Sequence, residues 1–238
     1  MKSTLVFIHG SGDNRHAWRL QIEHFGKERA IAIDLPGHGE RVDSLPAEVT
    51  VQDYTRVVYE IVKDELKLER PVIVGHSLGG AIALMLALEY GNELSGLILV
   101  GTGARLRVHT TYLTEALESP EAAQQHLIEV CVIPEHVATL KEAILQDQGT
   151  PKAGILYRDL RACDKFDVMS RLHEISLPML IICGSEDRLT PPKYSQFLLE
   201  KLTGVKQGAT LQIIPGAGHY VMREQAEMVN RAIEEWMV

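Results

Sequence analysis

Nowhere in its 238 residues does the chain approach the roughly 20 consecutive apolar residues of a membrane-spanning helix. The apolar run that opens it, Leu5-Val6-Phe7-Ile8, is too brief for a signal peptide, and no small-residue cleavage site follows. It reads as a buried strand. Cysteine is scarce. Cys131, Cys163 and Cys183 are odd in number, far apart and without metal-ligand spacing, which argues against a disulfide framework and suits a reducing compartment, with the cytoplasm as the expected location. Cations are in deficit: Lys and Arg total 24 against 32 Asp and Glu, a net charge of −8. With no local basic patch, a nucleic-acid backbone would repel such a chain. Internal repeats and low-complexity tracts are absent too. A composition of 45% hydrophobic and 24% charged residues leaves an ordinary globular protein with enough apolar surface to offset the entropy of ordering.

Short β-rich runs alternate with helical patterns from the start. Thr4–Ile8 ends in the turn His9-Gly10-Ser11-Gly12, and Arg15–Phe25 follows with helical character. Ala30–Ile33 closes on Asp34-Leu35-Pro36-Gly37-His38-Gly39, a turn signal. Tyr54, Val57, Val58, Ile61, Val62 and Leu66 recur at helical spacing. Pro71–Gly75, Leu97–Val100, Met179–Cys183 and Leu211–Ile214 supply further strands, the Val- and Ile-rich ones as expected of strands covered on both faces. Ala81–Leu88 is apolar almost all round and must be buried. Met222, Ala226, Val229, Ile233 and Trp236 line one face of a closing helix.

The rhythm predicts an α/β fold: a mostly parallel sheet of about six strands flanked by helices. Residues 103–171 break it with helical stretches expected to start at Pro120, Pro134 and Pro151. They read as a helical cap inserted between the fourth and fifth strands, leaving 1–102 and 172–238 as the core.

Gly75-His76-Ser77-Leu78-Gly79 lies directly after a strand and directly before a helix. A serine forced into such a tight turn crowds the residues two before and two after it, so both lose their side chains. The turn lifts the hydroxyl above the sheet, over the positive end of a helix. Serine needs a base. Of ten histidines, His219 follows the last strand in Pro215-Gly216-Ala217-Gly218-His219. In a parallel sheet its loop can converge on the one after the third strand. His9 and His38 sit in turns that read as structural, and His76 is expected to point away from Ser77. The loop after the fifth strand offers Asp187 as the carboxylate that orients the base, with Glu186 as the alternative. The N–H groups of Leu78 and Ser11 are the candidate oxyanion donors, each worth about 3 kcal/mol of transition-state stabilisation.

Together these features resemble the α/β-hydrolase fold family. The matching elements are His9-Gly10, Asp34 through Gly39, Gly75 through Gly80, Gly184 with Asp187, and Gly218-His219, and the order Ser, Asp, His is the family's own. Larger members carry two further strands before the His-Gly strand, and Arg41 stands where many have serine. Ser77 argues against the members that use an aspartate nucleophile. His76 and Leu78 differ from the Asn and Met that flank the nucleophile in the family's C–C hydrolases. The resemblance implies a serine hydrolase that cleaves short- to medium-chain carboxylic esters through an acyl-enzyme, on a small-molecule substrate, with no metal or organic cofactor. The alternatives within the fold are a C–C hydrolase, a cofactor-free perhydrolase or a slow-turnover ligand receptor.

Overall fold

The computed structural model describes residues 3–205 and 208–238. Met1, Lys2, Lys206 and Gln207 lie outside the described residues. Six strands form one fully parallel sheet: β1 (Leu5–Ile8), β2 (Ala30–Ile33), β3 (Val72–His76), β4 (Gly96–Val100), β5 (Met179–Gly184) and β6 (Ala209–Ile214). Their order is β2-β1-β3-β4-β5-β6. After β2 the chain crosses to the other side of β1, so the loops after β1 and β3 lie side by side at a topological switch point, where open α/β sheets place their ligands.

Alternate strand residues feed two cores. Val6, Ile8, Ile73, Leu97, Leu99 and Ile181 pack on one face under α2 (Val51–Glu60), α3 (Leu78–Tyr90) and α8 (Pro192–Lys201). Phe7, Val74, Ile98, Val100 and Ile182 pack on the other with Trp18 and with Val229 and Ile233 of α10 (Ala226–Trp236). Covering both faces explains why the central strands carry unbroken apolar runs. The edge strand β6 is half-exposed and mixes in Thr210 and Gln212. Helix α3 is apolar around its circumference because it is buried from Leu78 to Ala87. Among the described residues no helix is long and apolar enough to cross a membrane.

Four helices occupy the stretch between β4 and β5: α4 (Thr110–Glu118), α5 (Pro120–Cys131), α6 (Pro134–Gln148) and α7 (Ile155–Lys165). An antiparallel bridge between Arg105 and Asp167 draws its two ends together. Pro120 and Pro134 begin helices as expected, but Pro151 does not. The turn through Gly154, whose φ of 77° favours glycine, delays α7 to Ile155. Three helical boundaries also differ from the sequence pattern. Arg15–Trp18 forms a 3₁₀ turn before α1 (Arg19–Phe25), and α2 runs into a π-helical turn over Ile61–Glu65. The closing helix is broken at Gln225 into α9 (Val221–Glu224) and α10. There Glu224 accepts from Gly218 N and Ile133 N, and Gln225 Nε2 donates to Gly216 O, so local side chains serve neighbouring loops instead of continuing one helix.

Candidate active site

Ser77 occupies the junction between β3 and α3 with φ 53° and ψ −114°, a conformation that costs a non-glycine residue of order 1–3 kcal/mol and survives only where the surroundings impose it. Here sterics impose it: a Cβ on Gly75 would overlap the Gly79 carbonyl, and one on Gly79 would overlap the Ile8 carbonyl. Gly10, in the loop after β1, lies so close that an added Cβ would sit 3.2 Å from Ser77 Cβ. Ser11 is thereby carried to the rim of the elbow. The N–H groups of Ser11 and Leu78 have no hydrogen-bond acceptor among the described residues, as helix-start and loop donors commonly do.

The loops after β5 and β6 cross without side chains between them, since a Cβ on Gly184 would overlap the carbonyls of Ala217 and Gly218. That crossing brings His219 Nδ1 within 2.8 Å of Asp187 Oδ2. Both side chains are buried. Facing a carboxylate, Nδ1 carries the proton and Nε2 is left as the acceptor. Asp187 Oδ1 accepts from the N–H groups of Leu189 and Thr190, at 2.9 and 2.8 Å, and Oδ2 also accepts from Thr190 Oγ1 at 2.8 Å. Burial opposes the charge on Asp187, but His219 and these donors outweigh it and hold the carboxyl below its ordinary pKa. Glu186, next in the chain, is exposed. The structure therefore brings Asp187, not Glu186, to His219.

Ser77, His219, Gly10 and Ser11 all line one cavity of about 490 Å³, within the usual range for small-molecule sites, about 300–1,000 Å³. No hydrogen bond joins Ser77 to His219 among the described residues; catalytic contacts of this kind commonly tighten only when substrate binds.

Sequence reasoning missed three contributors. Thr190 Oγ1 lies 3.2 Å from His219 Nδ1 as well as on Asp187, so one hydroxyl braces both. His76, expected to point elsewhere, turns toward the base: its Nε2 donates to the His219 carbonyl at 3.0 Å, with the rings 4.7 Å apart. Burial, reinforced by His219, pushes its pKa well below the imidazole norm and keeps it neutral. The third is Cys131 at the end of α5, whose carbonyl accepts from His219 N at 2.7 Å and Tyr220 N at 3.2 Å. Only Thr190 had a local signal, three residues past the acid.

His9 and His38 are buried in hydrogen-bonded turns, as their context implied. His9 Nε2 accepts from Leu35 N and Nδ1 donates to Gly10 O; burial, then the neighbouring His38, lowers its pKa to about 4.

The sequence pattern of the alpha/beta hydrolase family matches residues 5–232. The chain belongs to that family. Among curated proteins it is 27% identical to the pimeloyl-[acyl-carrier protein] methyl ester esterase of Neisseria meningitidis, over 94% of this chain and 73% of that one. It is also 27% identical to the 2-hydroxy-6-oxononadienedioate/2-hydroxy-6-oxononatrienedioate hydrolase of Paraburkholderia phymatum, over 99% of this chain and 87% of that one. Among solved structures, a thermophilic esterase superposes with a TM-score of 0.82 at 33% identity, covering 98% of this chain and 89% of its own. The hydrolase thus has esterases and other hydrolases as relatives.

Proposed function

We propose that this hydrolase cleaves carboxylic esters of short to medium acyl chain through an acyl-enzyme. The observation that carries the reading is the buried Asp187–His219 pair, 2.8 Å apart, in the wall of the cavity that Ser77 lines. Ser77 Oγ attacks the ester carbonyl carbon while His219 Nε2 takes its proton. Asp187 steadies the imidazolium that forms. The Ser11 and Leu78 N–H groups receive the oxyanion, a role their lack of internal acceptors leaves open to them. Collapse of the tetrahedral intermediate breaks the ester C–O bond, and His219 returns the proton to the departing alcohol. Water, activated by the same histidine, releases the acid. Helices α4–α7 act as a cap over this chemistry, with Tyr112, Leu127 and Leu160 facing the acyl chain from the cavity wall.

The test is fluorophosphonate labelling mapped by mass spectrometry, together with a panel of p-nitrophenyl esters from acetate to decanoate. Labelling at Ser77 and hydrolysis that vanishes in Ser77→Ala support the reading. Undiminished hydrolysis in that variant removes Ser77 as nucleophile. No turnover of any ester, with hydrolysis of an oxo-dienedioate of the kind in the name of the Paraburkholderia relative, would replace ester cleavage with carbon–carbon bond hydrolysis.

A further inference from the structure

The hydrolase carries a net charge of −8, yet the wall of the Ser77 cavity includes Arg107 and Arg188 and no Asp or Glu. A chain so acidic repels anions at long range, so a cationic cavity rim has to be built locally. These two side chains arrive from separate segments. Arg107 lies between β4 and α4, and Arg188 directly follows Asp187 after β5. Both are exposed, so each meets solvent as well as the cavity it lines.

Neither guanidinium pairs with a carboxylate among the described residues. Arg188 enters no ion pair among the described residues. Arg107 spends one Nη1 donor on the Asp164 carbonyl, at 2.6 Å, while the carboxylate of Asp164 accepts from Val108 N at 3.2 Å. Most other arginines of the chain find an acid: Arg15 pairs with Asp34, Arg41 with Glu65, Arg158 with Asp43, Arg171 with Glu174 and Arg223 with Asp147. A planar guanidinium fork left without a carboxylate, on the wall of the cavity that Ser77 also lines, matches a carboxylate or phosphate oxygen pair. The same wall also presents Leu106, Val108 and Leu160, an apolar surface that suits a methylene chain.

Building on the ester-hydrolase reading, we infer that the preferred substrates carry an anionic group, carboxylate or phosphate, at the far end of the acyl chain, and that Arg107 and Arg188 select it.

The experiment compares kcat/KM for p-nitrophenyl hydrogen adipate, p-nitrophenyl hexanoate and p-nitrophenyl 6-aminohexanoate, with p-nitrophenyl 6-phosphonohexanoate separating phosphate from carboxylate. The wild-type protein should favour the anionic over the cationic ester by about tenfold, a preference that shrinks as salt is added. Arg107→Gln/Arg188→Gln should abolish the preference and Arg188→Glu should reverse it. An anionic-to-cationic ratio unchanged between wild type and the double variant overturns the inference. Should none of the esters turn over, including the neutral hexanoate, the ester reading itself has failed. Binding of the adipate dianion by calorimetry then decides the anion site: weakening of about tenfold in the double variant upholds it, and equal binding overturns it.

Discussion

His38 Nε2 donates to Asp159 Oδ2 across 2.8 Å in the protein interior, joining the loop after β2 to helix α7. Burial disfavours the charge on His38, but Asp159 and the Pro36 carbonyl outweigh it, and its pKa is raised. Asp159 also accepts from Tyr54 OH and, at 2.9 Å, from Gly12 N. One carboxylate on α7 therefore anchors the loop that presents Ser11.

Asp159→Asn should lower unfolding free energy by about 3–5 kcal/mol, because it breaks the buried His38–Asp159 pair and sets an amide N–H₂ among the donors from His38, Tyr54 and Gly12. Tyr54→Phe, which removes one of the contacts, should cost about 1–3 kcal/mol. Urea denaturation of the two variants checks the order; equal losses would contradict the assignment of Asp159 as the hub.

Stability should fall in mild acid. His9 is held neutral, its pKa lowered to about 4, whereas the unfolded chain takes up a proton near the reference imidazole value, about 6.5. The unfolded state then binds more protons between those values, so unfolding free energy drops as pH falls through that window, by about 3 kcal/mol from His9 alone. His76, also depressed, adds to the same slope. His38, raised, acts oppositely and contributes stability that is lost as pH rises through its folded value. Tm measured from pH 7 to pH 4 should decline, and His9→Asn should flatten the decline even if it lowers Tm throughout.

Thr190→Val keeps the shape of the side chain but loses the hydroxyl that contacts both Asp187 and His219. Hydrogen bonds to charged groups contribute about 1.5–3 kcal/mol, so kcat should fall by about tenfold or more with KM little changed. Thr190→Ser should restore most of the loss. An unchanged kcat in the valine variant would show that the hydroxyl is only a packing group.

Exchange of the two neighbouring acids separates their roles. Asp187→Asn should cost about 10⁴ in kcat by analogy with serine-protease triads, whereas Glu186→Gln, at an exposed position, should retain near-normal turnover with p-nitrophenyl butyrate.

The parallel sheet, the elbow at Ser77 and the facing loops at Asp187 and His219 were legible in the sequence because each rests on a local rule. Strands covered on both faces read as unbroken Val and Ile, and a strained turn demands glycines at Gly75 and Gly79. What escaped was contact between remote side chains. His76 meets the His219 carbonyl 143 residues on, and His38 meets Asp159 across 121. Composition and spacing carry no trace of such partners. The late start of α7 and the break at Gln225 escaped for a related reason: turn geometry at Gly154 and the use of Glu224 by Gly218 and Ile133 overrode the helical pattern.

The grip of the Cys131 carbonyl on the backbone of His219 and Tyr220 ties the helices between β4 and β5 to the loop that carries the imidazole. Excising them to obtain a smaller protein would release the strap that holds the imidazole-bearing loop, and a minimal version of this chain would need a substitute brace at that point before it could be expected to work.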